Sequence, residues 1–251
     1  MKKRRLFSLF LSFALLLPLF SLTSADAYED FTLDAKAGLL IEADTGEILY
    51  EKNAHQENFP ASLTKVMVAL LVFEAIDEGK IALTDSVTAT ESAFEGLSSD
   101  GSTANIVPGE TMTVEQLLNC MLIVSANEAC NILGETLYGS VDAFVARMNE
   151  RAAELGCEHT HFANATGLHN SQHYTTAWDL YLITREALKH DKFMEICNSK
   201  SYTVPATNMT DKPRELHSTN FLISNWRARG YVYRDAQGIK TGSTPEAGYC
   251  L

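Results

Sequence analysis

Hydrophobic residues occupy every face of the segment from Ala61 to Glu78, at Val66, Met67, Val68, Leu70, Leu71, Val72, Phe73 and Ile76. A helix without a polar face is buried on all sides, and Gly79 is the kind of residue that ends helices. The pattern therefore predicts a central core helix. Its start, with Pro60 just ahead of Ser62, is expected in or near the core.

Strand signals occur towards both ends of the chain. The apolar-rich stretches Gly38 to Glu42 and Glu47 to Glu51 flank the turn residues Asp44, Thr45 and Gly46, which predicts a β-hairpin. After Tyr202 the pattern becomes loop-like and strand-like, and it ends in Gly238-Ile239-Lys240-Thr241-Gly242.

Helix starts mark the middle of the chain. Thr113 and Gln116 form a capping box, Ser140 precedes an amphipathic run that Gly156 closes, and Thr176 caps a further helix. Helices in the middle with strands at both ends predict an α+β fold whose antiparallel sheet is built from both chain ends.

Composition and charge exclude several classes of protein. The chain has 251 residues, 46% hydrophobic and 21% charged, with a formal net charge of −12. These are globular values, which exclude a disordered or collagen-like chain. The acidic balance argues against a nucleic-acid partner, because little here would neutralise phosphates.

The first 27 residues read as a secretory signal peptide. Basic residues at positions 2–5 precede an uncharged apolar run, and Ala25-Asp26-Ala27 resembles a cleavage site. An uncleaved anchor helix is the alternative, against which Pro18 and the shortness of the run both weigh. Residues 28–251 are then expected to form a single exported domain.

The chain contains an odd number of cysteines at irregular spacings: Cys120, Cys130, Cys157, Cys197 and Cys250. Most lie beside apolar residues, which favours buried small hydrophobic side chains over a disulfide framework. The sequence alone leaves a disulfide open.

Ser62 and Lys65 stand three positions apart where the core helix is predicted to begin. Side chains at this spacing are neighbours on a helix. A serine hydroxyl needs a base to become a nucleophile, and an amine can serve if burial and nearby positive charge lower its pKa. Free N–H groups in the first helical turn would favour a developing negative charge.

Two further short sets carry candidate chemistry. Ser125 and Asn127 can face one cavity from a loop, where a hydroxyl relays a proton and an amide holds a peptide group, although both are also common cap residues. Gly242 would allow close approach of a substrate backbone to a strand edge, with Lys240 and Thr241 binding a carboxylate. A turn with a solvated lysine is the plain alternative.

Together, and in this order, the three sets resemble those of the serine-type D-alanyl-D-alanine carboxypeptidases, the low-molecular-weight penicillin-binding proteins. The resemblance covers essentially all of residues 37–251. It includes the segments 43–53, 59–62, 164–168, 173–180 and 238–250. It implies a β-lactamase/transpeptidase-like fold, with an antiparallel sheet flanked by a helical region.

The resemblance also implies a role for each residue of the three sets. Ser62 would be the acylated nucleophile, Lys65 its general base, Ser125 a proton relay and Asn127 a substrate-binding residue. The terminal carboxylate of the substrate would be bound at Lys240 and Thr241, next to Gly242, and Lys240 would help to keep Lys65 deprotonated. Backbone N–H groups of Ser62 and Ser243 would form the oxyanion hole.

The resemblance implies that the partners are peptidoglycan stem peptides ending in D-Ala-D-Ala and that β-lactams are covalent inhibitors. It implies neither a cofactor nor a metal, and it implies a location at the cell wall or the outer face of the cytoplasmic membrane. The alternatives are a D,D-endopeptidase, a β-lactamase and an inactive peptidoglycan-binding fragment. The sequence Ser-Ala-Asn at 125–127 and the absence of a glutamate between His159 and His169 weigh against the β-lactamase. A zinc site at Cys157, His159, His161, His169 and His173 fits no common ligand spacing.

The chain stops nine residues beyond Gly242, at Leu251, where members of this family continue with further strands. A truncated chain of low stability is therefore expected. Membrane association is expected only through a missing C-terminal segment or an uncleaved signal.

Overall fold

The structure is a computed structural model that describes residues 32–251. Residues 36–251 form one compact unit. The predicted signal peptide, residues 1–27, lies outside the described residues. Among residues 32–251, no helix is both long enough and apolar enough to cross a membrane.

The helices occupy the middle of the compact unit. They are α1 (Lys65–Asp77), α2 (Val114–Ile123), α3 (Asn127–Tyr138), α4 (Val141–Glu154), α5 (Ala177–Ala187) and α6 (Asp191–Cys197). A 3₁₀ turn at Ala61–Thr64 leads directly into α1, and a second one lies at Ser92–Phe94.

Helix α1 is the centre of the core, as its sequence predicts. Every residue from Lys65 to Phe73 is buried, and the helix packs against α3 and α5. Its burial on all sides places the one charged side chain of this run, Lys65, inside the protein.

The predicted helix caps are confirmed. The Thr113 hydroxyl accepts from the Gln116 N–H in a complete capping box. Ser140 and Thr176 each accept from the backbone N–H three residues later. These bonds satisfy helix N–H groups that have no partner within the helix.

The strands form four antiparallel pairs: β1 (Gly38–Ile41) with β2 (Ile48–Lys52), β3 (Ser86–Thr88) with β4 (Thr111–Thr113), β5 (Ser201–Val204) with β6 (Arg214–His217), and β7 (Gly242–Thr244) with β8 (Gly248–Cys250). The predicted hairpin at β1–β2 and the α+β class are confirmed. The two chain ends do not join in one sheet within residues 32–251, where β1 pairs only with β2 and β7 only with β8.

All five cysteines are free. Cys120, Cys130 and Cys197 are buried, as their apolar neighbours predict. Burial raises the pKa of the Cys120 and Cys197 thiols to about 12 and that of Cys130 to about 11, so these thiols are unreactive packing groups.

Candidate active site

Ser62 lies in the 3₁₀ turn that precedes α1 and is half-buried. The residue before it, Ala61, has a φ of 47°, in the left-handed region that is costly for a residue with a Cβ. Two glycines, Gly167 and Gly242, pack so closely against this turn that neither could carry a side chain without a shift of the backbone. A Cβ on Gly167 would lie 1.9 Å from the Ala61 carbonyl oxygen, and one on Gly242 would lie 2.9 Å from the Ser62 nitrogen.

The Lys65 amine is surrounded by three oxygen atoms. Its Nζ lies 2.9 Å from Ser62 Oγ, 2.9 Å from Asn127 Oδ1 and 2.6 Å from the backbone oxygen of Thr166. The amide and carbonyl oxygens can only accept. A neutral amine that donates its two hydrogens to them therefore directs its lone pair at Ser62, whose hydroxyl can donate to it.

The electrostatic setting of Lys65 favours this neutral form. The side chain is fully buried, and burial lowers its pKa, because a charged group is poorly solvated there. Cys130 and Glu128 raise it again to a smaller extent. The buried Glu128 carboxylate is in turn held by the Thr103 hydroxyl at 2.7 Å and the Ala104 N–H at 2.8 Å.

A second buried lysine, Lys240, lies close enough for its charge to interact with that of Lys65. Burial is the main cause that lowers the pKa of Lys240 to about 7, and Lys65 in its charged form acts in the same direction. The Lys240 amine donates to the backbone oxygen of Thr241 at 2.7 Å. Two buried cations repel each other, so the site disfavours the state in which both amines are protonated.

Ser125 lies between α2 and α3, and Asn127 follows it at the start of α3. Ser125 has a φ of 66° and is only 4% exposed, and its hydroxyl has no hydrogen-bond partner among the described residues. A buried hydroxyl without a partner is uncommon and marks a position that a ligand can satisfy. Asn127 belongs to this helix and not to a loop as the sequence predicts, and its N–H donates to the backbone oxygen of Ser102 at 2.9 Å.

The Lys240-Thr241-Gly242 sequence leads into β7, as predicted. The Thr241 hydroxyl is hydrogen-bonded to that of Thr219 at 2.6 Å. Gly242 opens the strand against the 61–64 turn, and Ser243 follows it in an exposed position. The structure therefore brings Ser62 and Asn127 within hydrogen-bond distance of Lys65 and sets Gly242 close to the backbone of Ser62, with Lys240 close by.

Sequence reasoning did not predict the contacts of Thr166, Gly167 and Thr219. Thr166 is 101 positions from Lys65, so no local periodicity connects the two. The only signal for the first two was the resemblance of the segment 164–168 to the family.

The histidines considered for zinc have other partners. His159 faces Glu57 at 3.4 Å, His161 contacts the backbone oxygen of Gln172, and His173 bonds to Thr64 at 2.7 Å. In residues 32–251, no three histidine, cysteine or acidic side chains are grouped as metal ligands.

Comparison with known proteins agrees with the sequence motifs. The sequence model of the D-alanyl-D-alanine carboxypeptidase family matches residues 23–251. D-alanyl-D-alanine carboxypeptidase DacF of Bacillus subtilis (strain 168) is 40% identical over 218 residues, covering 87% of this chain and 53% of the relative. The D-alanyl-D-alanine carboxypeptidase of Streptomyces sp. (strain K15) is 32% identical over 240 residues, covering 91% of this chain and 79% of the relative.

The fold is also similar to a solved structure. The crystal structure of the Streptomyces K15 DD-transpeptidase matches with a TM-score of 0.78 and 31% identity, over 89% of this chain and 86% of that one. The fold is therefore the penicillin-binding, β-lactamase-like fold of the DD-peptidases. The chain spans about half the length of several curated relatives it matches, 53% in the case of DacF. By sequence and by structure, it belongs to the D-alanyl-D-alanine carboxypeptidase family.

Proposed function

We propose that this protein is a serine-type D-Ala-D-Ala carboxypeptidase, which removes the terminal D-alanine from peptidoglycan stem pentapeptides. The observation that carries the proposal is the 2.9 Å contact between Lys65 Nζ and Ser62 Oγ inside a buried site. The names of the relatives supply the substrate class.

In the first half of the reaction, Ser62 Oγ attacks the carbonyl carbon of the penultimate D-alanine while its proton passes to Lys65 Nζ. The tetrahedral intermediate then loses its C–N bond. The departing D-alanine amine takes up a proton that Lys65 supplies, directly or through the Ser125 hydroxyl. The product of this half-reaction is an ester on Ser62, which water hydrolyses to release the shortened peptide and regenerate the serine.

The remaining residues bind the substrate in this proposal. Lys240 and Thr241 bind the terminal carboxylate, and the Asn127 amide binds a peptide group. The N–H groups of Ser62 and Ser243 stabilise the oxyanion. The unpartnered Ser125 hydroxyl supports a relay role, because it is buried and free to bond to a bound substrate.

The same site accounts for the proposed partners and location. β-Lactams acylate Ser62 in place of the peptide, and the ester they form is slow to hydrolyse. Peptidoglycan lies outside the cytoplasmic membrane, so an exported domain spanning residues 28–251 after cleavage of residues 1–27 fits the substrate. Membrane association through a further C-terminal segment or an uncleaved signal stays a prediction.

Incubation with a stem pentapeptide and with a cross-linked stem dimer, followed by mass spectrometry, tests the proposal. The expected product is the tetrapeptide plus free D-alanine, formed by the wild type and by Ser201→Ala, an exposed serine on β5. Ser62→Ala should form neither. Cleavage of the dimer alone would assign a D,D-endopeptidase instead. The proposal would be overturned if neither substrate is cleaved and a penicillin does not label the protein.

A further inference from the structure

A chain of three hydrogen bonds ends at the residue before Ser62. The Ala163 N–H donates to His173 Nδ1 at 3.0 Å, His173 Nε2 lies 2.7 Å from Thr64 Oγ1, and Thr64 Oγ1 donates to the Ala61 carbonyl at 2.8 Å. These three hydrogen bonds connect the loop between α4 and α5 to the turn that carries Ser62.

Each bond of this chain has one permitted direction. Because His173 Nδ1 accepts from a backbone N–H, it carries no hydrogen, and a neutral imidazole must then carry its proton on Nε2. Nε2–H therefore donates to Thr64 Oγ1, which leaves the Thr64 hydrogen for the Ala61 carbonyl. A protonated imidazole would turn a hydrogen towards the Ala163 N–H and break the first bond.

The surroundings of His173 keep the ring neutral. The side chain is 2% exposed, and burial lowers its pKa to about 4, with the charges of His161, Lys65 and His169 acting in the same direction. The ring also stands edge-on to Phe162. A neutral ring with two fixed bonds is a rigid support rather than a proton donor in the reaction.

The acceptor at the end of the chain is the strained residue Ala61, with a φ of 47°. Its carbonyl oxygen accepts a hydrogen bond from Thr64 and lies so close to Gly167 that a Cβ there would overlap with it. Strain of this kind persists only where surrounding contacts fix it. The adjoining Thr166 carbonyl accepts from Lys65, so one loop contacts both the serine turn and the lysine.

We propose that His173 is a positioning residue. In its Nε2–H tautomer it holds the Thr64 hydroxyl on the Ala61 carbonyl, and so fixes the direction of Ser62 Oγ towards Lys65 Nζ. His173 acts through Thr64 and does not touch the reacting atoms. The inference rests on the proposed function, since its effect is on acylation of Ser62.

Substitutions at Thr64 test the relay with little change of shape. Acylation by a fluorescent penicillin is followed by stopped flow, which separates the binding constant from the acylation rate constant. Thr64→Val is expected to slow acylation roughly 10- to 100-fold while binding changes by less than about twofold, as for a misplaced reacting group. Thr64→Ser keeps the hydroxyl and is expected to restore the rate to within about threefold.

Two controls separate positioning from a general loss of stability. Thr136→Val removes an exposed threonine hydroxyl that also donates to a backbone carbonyl, that of Ile132 at 2.6 Å near the far end of α3, and should leave the acylation rate unchanged. In the double variant, His173→Phe should slow acylation little beyond the effect of Thr64→Val alone, because both substitutions interrupt the same series of hydrogen bonds. If Thr64→Val fails to fold, Thr64→Cys takes its place, since a thiol is a weak donor of similar size.

The outcomes distinguish the two claims. Absence of labelling in the wild type overturns the proposed function itself. Normal labelling of the wild type together with an unchanged rate in Thr64→Val or Thr64→Cys overturns the role of His173. Additive effects of the two substitutions overturn it as well.

Discussion

Asn127 Oδ1 lies 2.9 Å from Lys65 Nζ, although the two residues are 62 positions apart in the sequence. Together with the Thr166 carbonyl, this oxygen takes both hydrogens of a neutral lysine amine and leaves its lone pair for Ser62. The orientation of the base therefore depends on two acceptors, and this dependence leads to the first predictions.

Lys65→Arg should abolish most of the acylation. A guanidinium stays protonated at any accessible pH, so it cannot take the Ser62 proton even if it keeps hydrogen bonds to Asn127 and Thr166. The expected loss in the rate of penicillin acylation is roughly 10²- to 10⁴-fold. Lys189→Arg, at an exposed lysine paired with Glu186, is the matched control and should react like the wild type.

Asn127→Asp should shift the pH dependence of acylation to higher pH. A carboxylate 2.9 Å from the Lys65 amine favours its charged form and raises its pKa. Since the neutral amine is the active form, the rate at neutral pH should fall and recover as the pH is raised. Asn225→Asp adds the same charge in an exposed loop and should leave the profile in place. An unshifted profile in Asn127→Asp would contradict the assignment of the base.

Gly167→Ala should destabilise the protein and misplace Ser62. Its Cβ would lie 1.9 Å from the Ala61 carbonyl oxygen, in addition to the strain of a φ of 85°. Gly139→Ala has a similar φ of 79° but nothing within 4 Å, so it isolates the backbone strain of about 1–2 kcal/mol. Thermal unfolding should show a clearly larger loss for Gly167→Ala, with slower acylation in that variant alone. Equal losses of stability in the two variants would contradict this prediction, because they would mean that the 61–64 turn shifts to accommodate the added Cβ.

The free energy of unfolding should decrease as the pH falls from about 6.5 towards 4. His173 has a pKa of about 4 in the folded protein, below the ordinary value of about 6.5. In this window the unfolded chain binds a proton that the folded chain does not, so stability is lost as the pH is lowered. Urea unfolding at a series of pH values should show a flatter slope for His173→Gln, and an identical slope would refute the buried neutral state.

The helices could be predicted because their signals are local. The Thr113–Gln116 capping box and the all-apolar run of α1 depend on residues within a few positions of each other. The Ser62–Lys65 pair could be predicted for the same reason, and its 3₁₀ geometry aligns side chains three apart even more closely than an α-helix does.

The long-range part of the site could not be read from such patterns. Thr166, Gly167 and the His173 relay reach the serine turn from about a hundred positions away. Glycine and threonine in a loop carry no periodicity that indicates which carbonyl they will meet. The joining of strands from the two chain ends was likewise open, and within residues 32–251 β1 pairs with β2 and β7 with β8.

The central claim is that Lys65 is a neutral base in the folded protein, and titration of its side chain tests this most directly. Protein labelled with ¹³C at the lysine Cε positions can be followed by NMR over a pH series, with the Lys65 signal assigned by its loss in Lys65→Arg. The account predicts a midpoint well below the ordinary value of about 10.4. A midpoint at or above that value would contradict it.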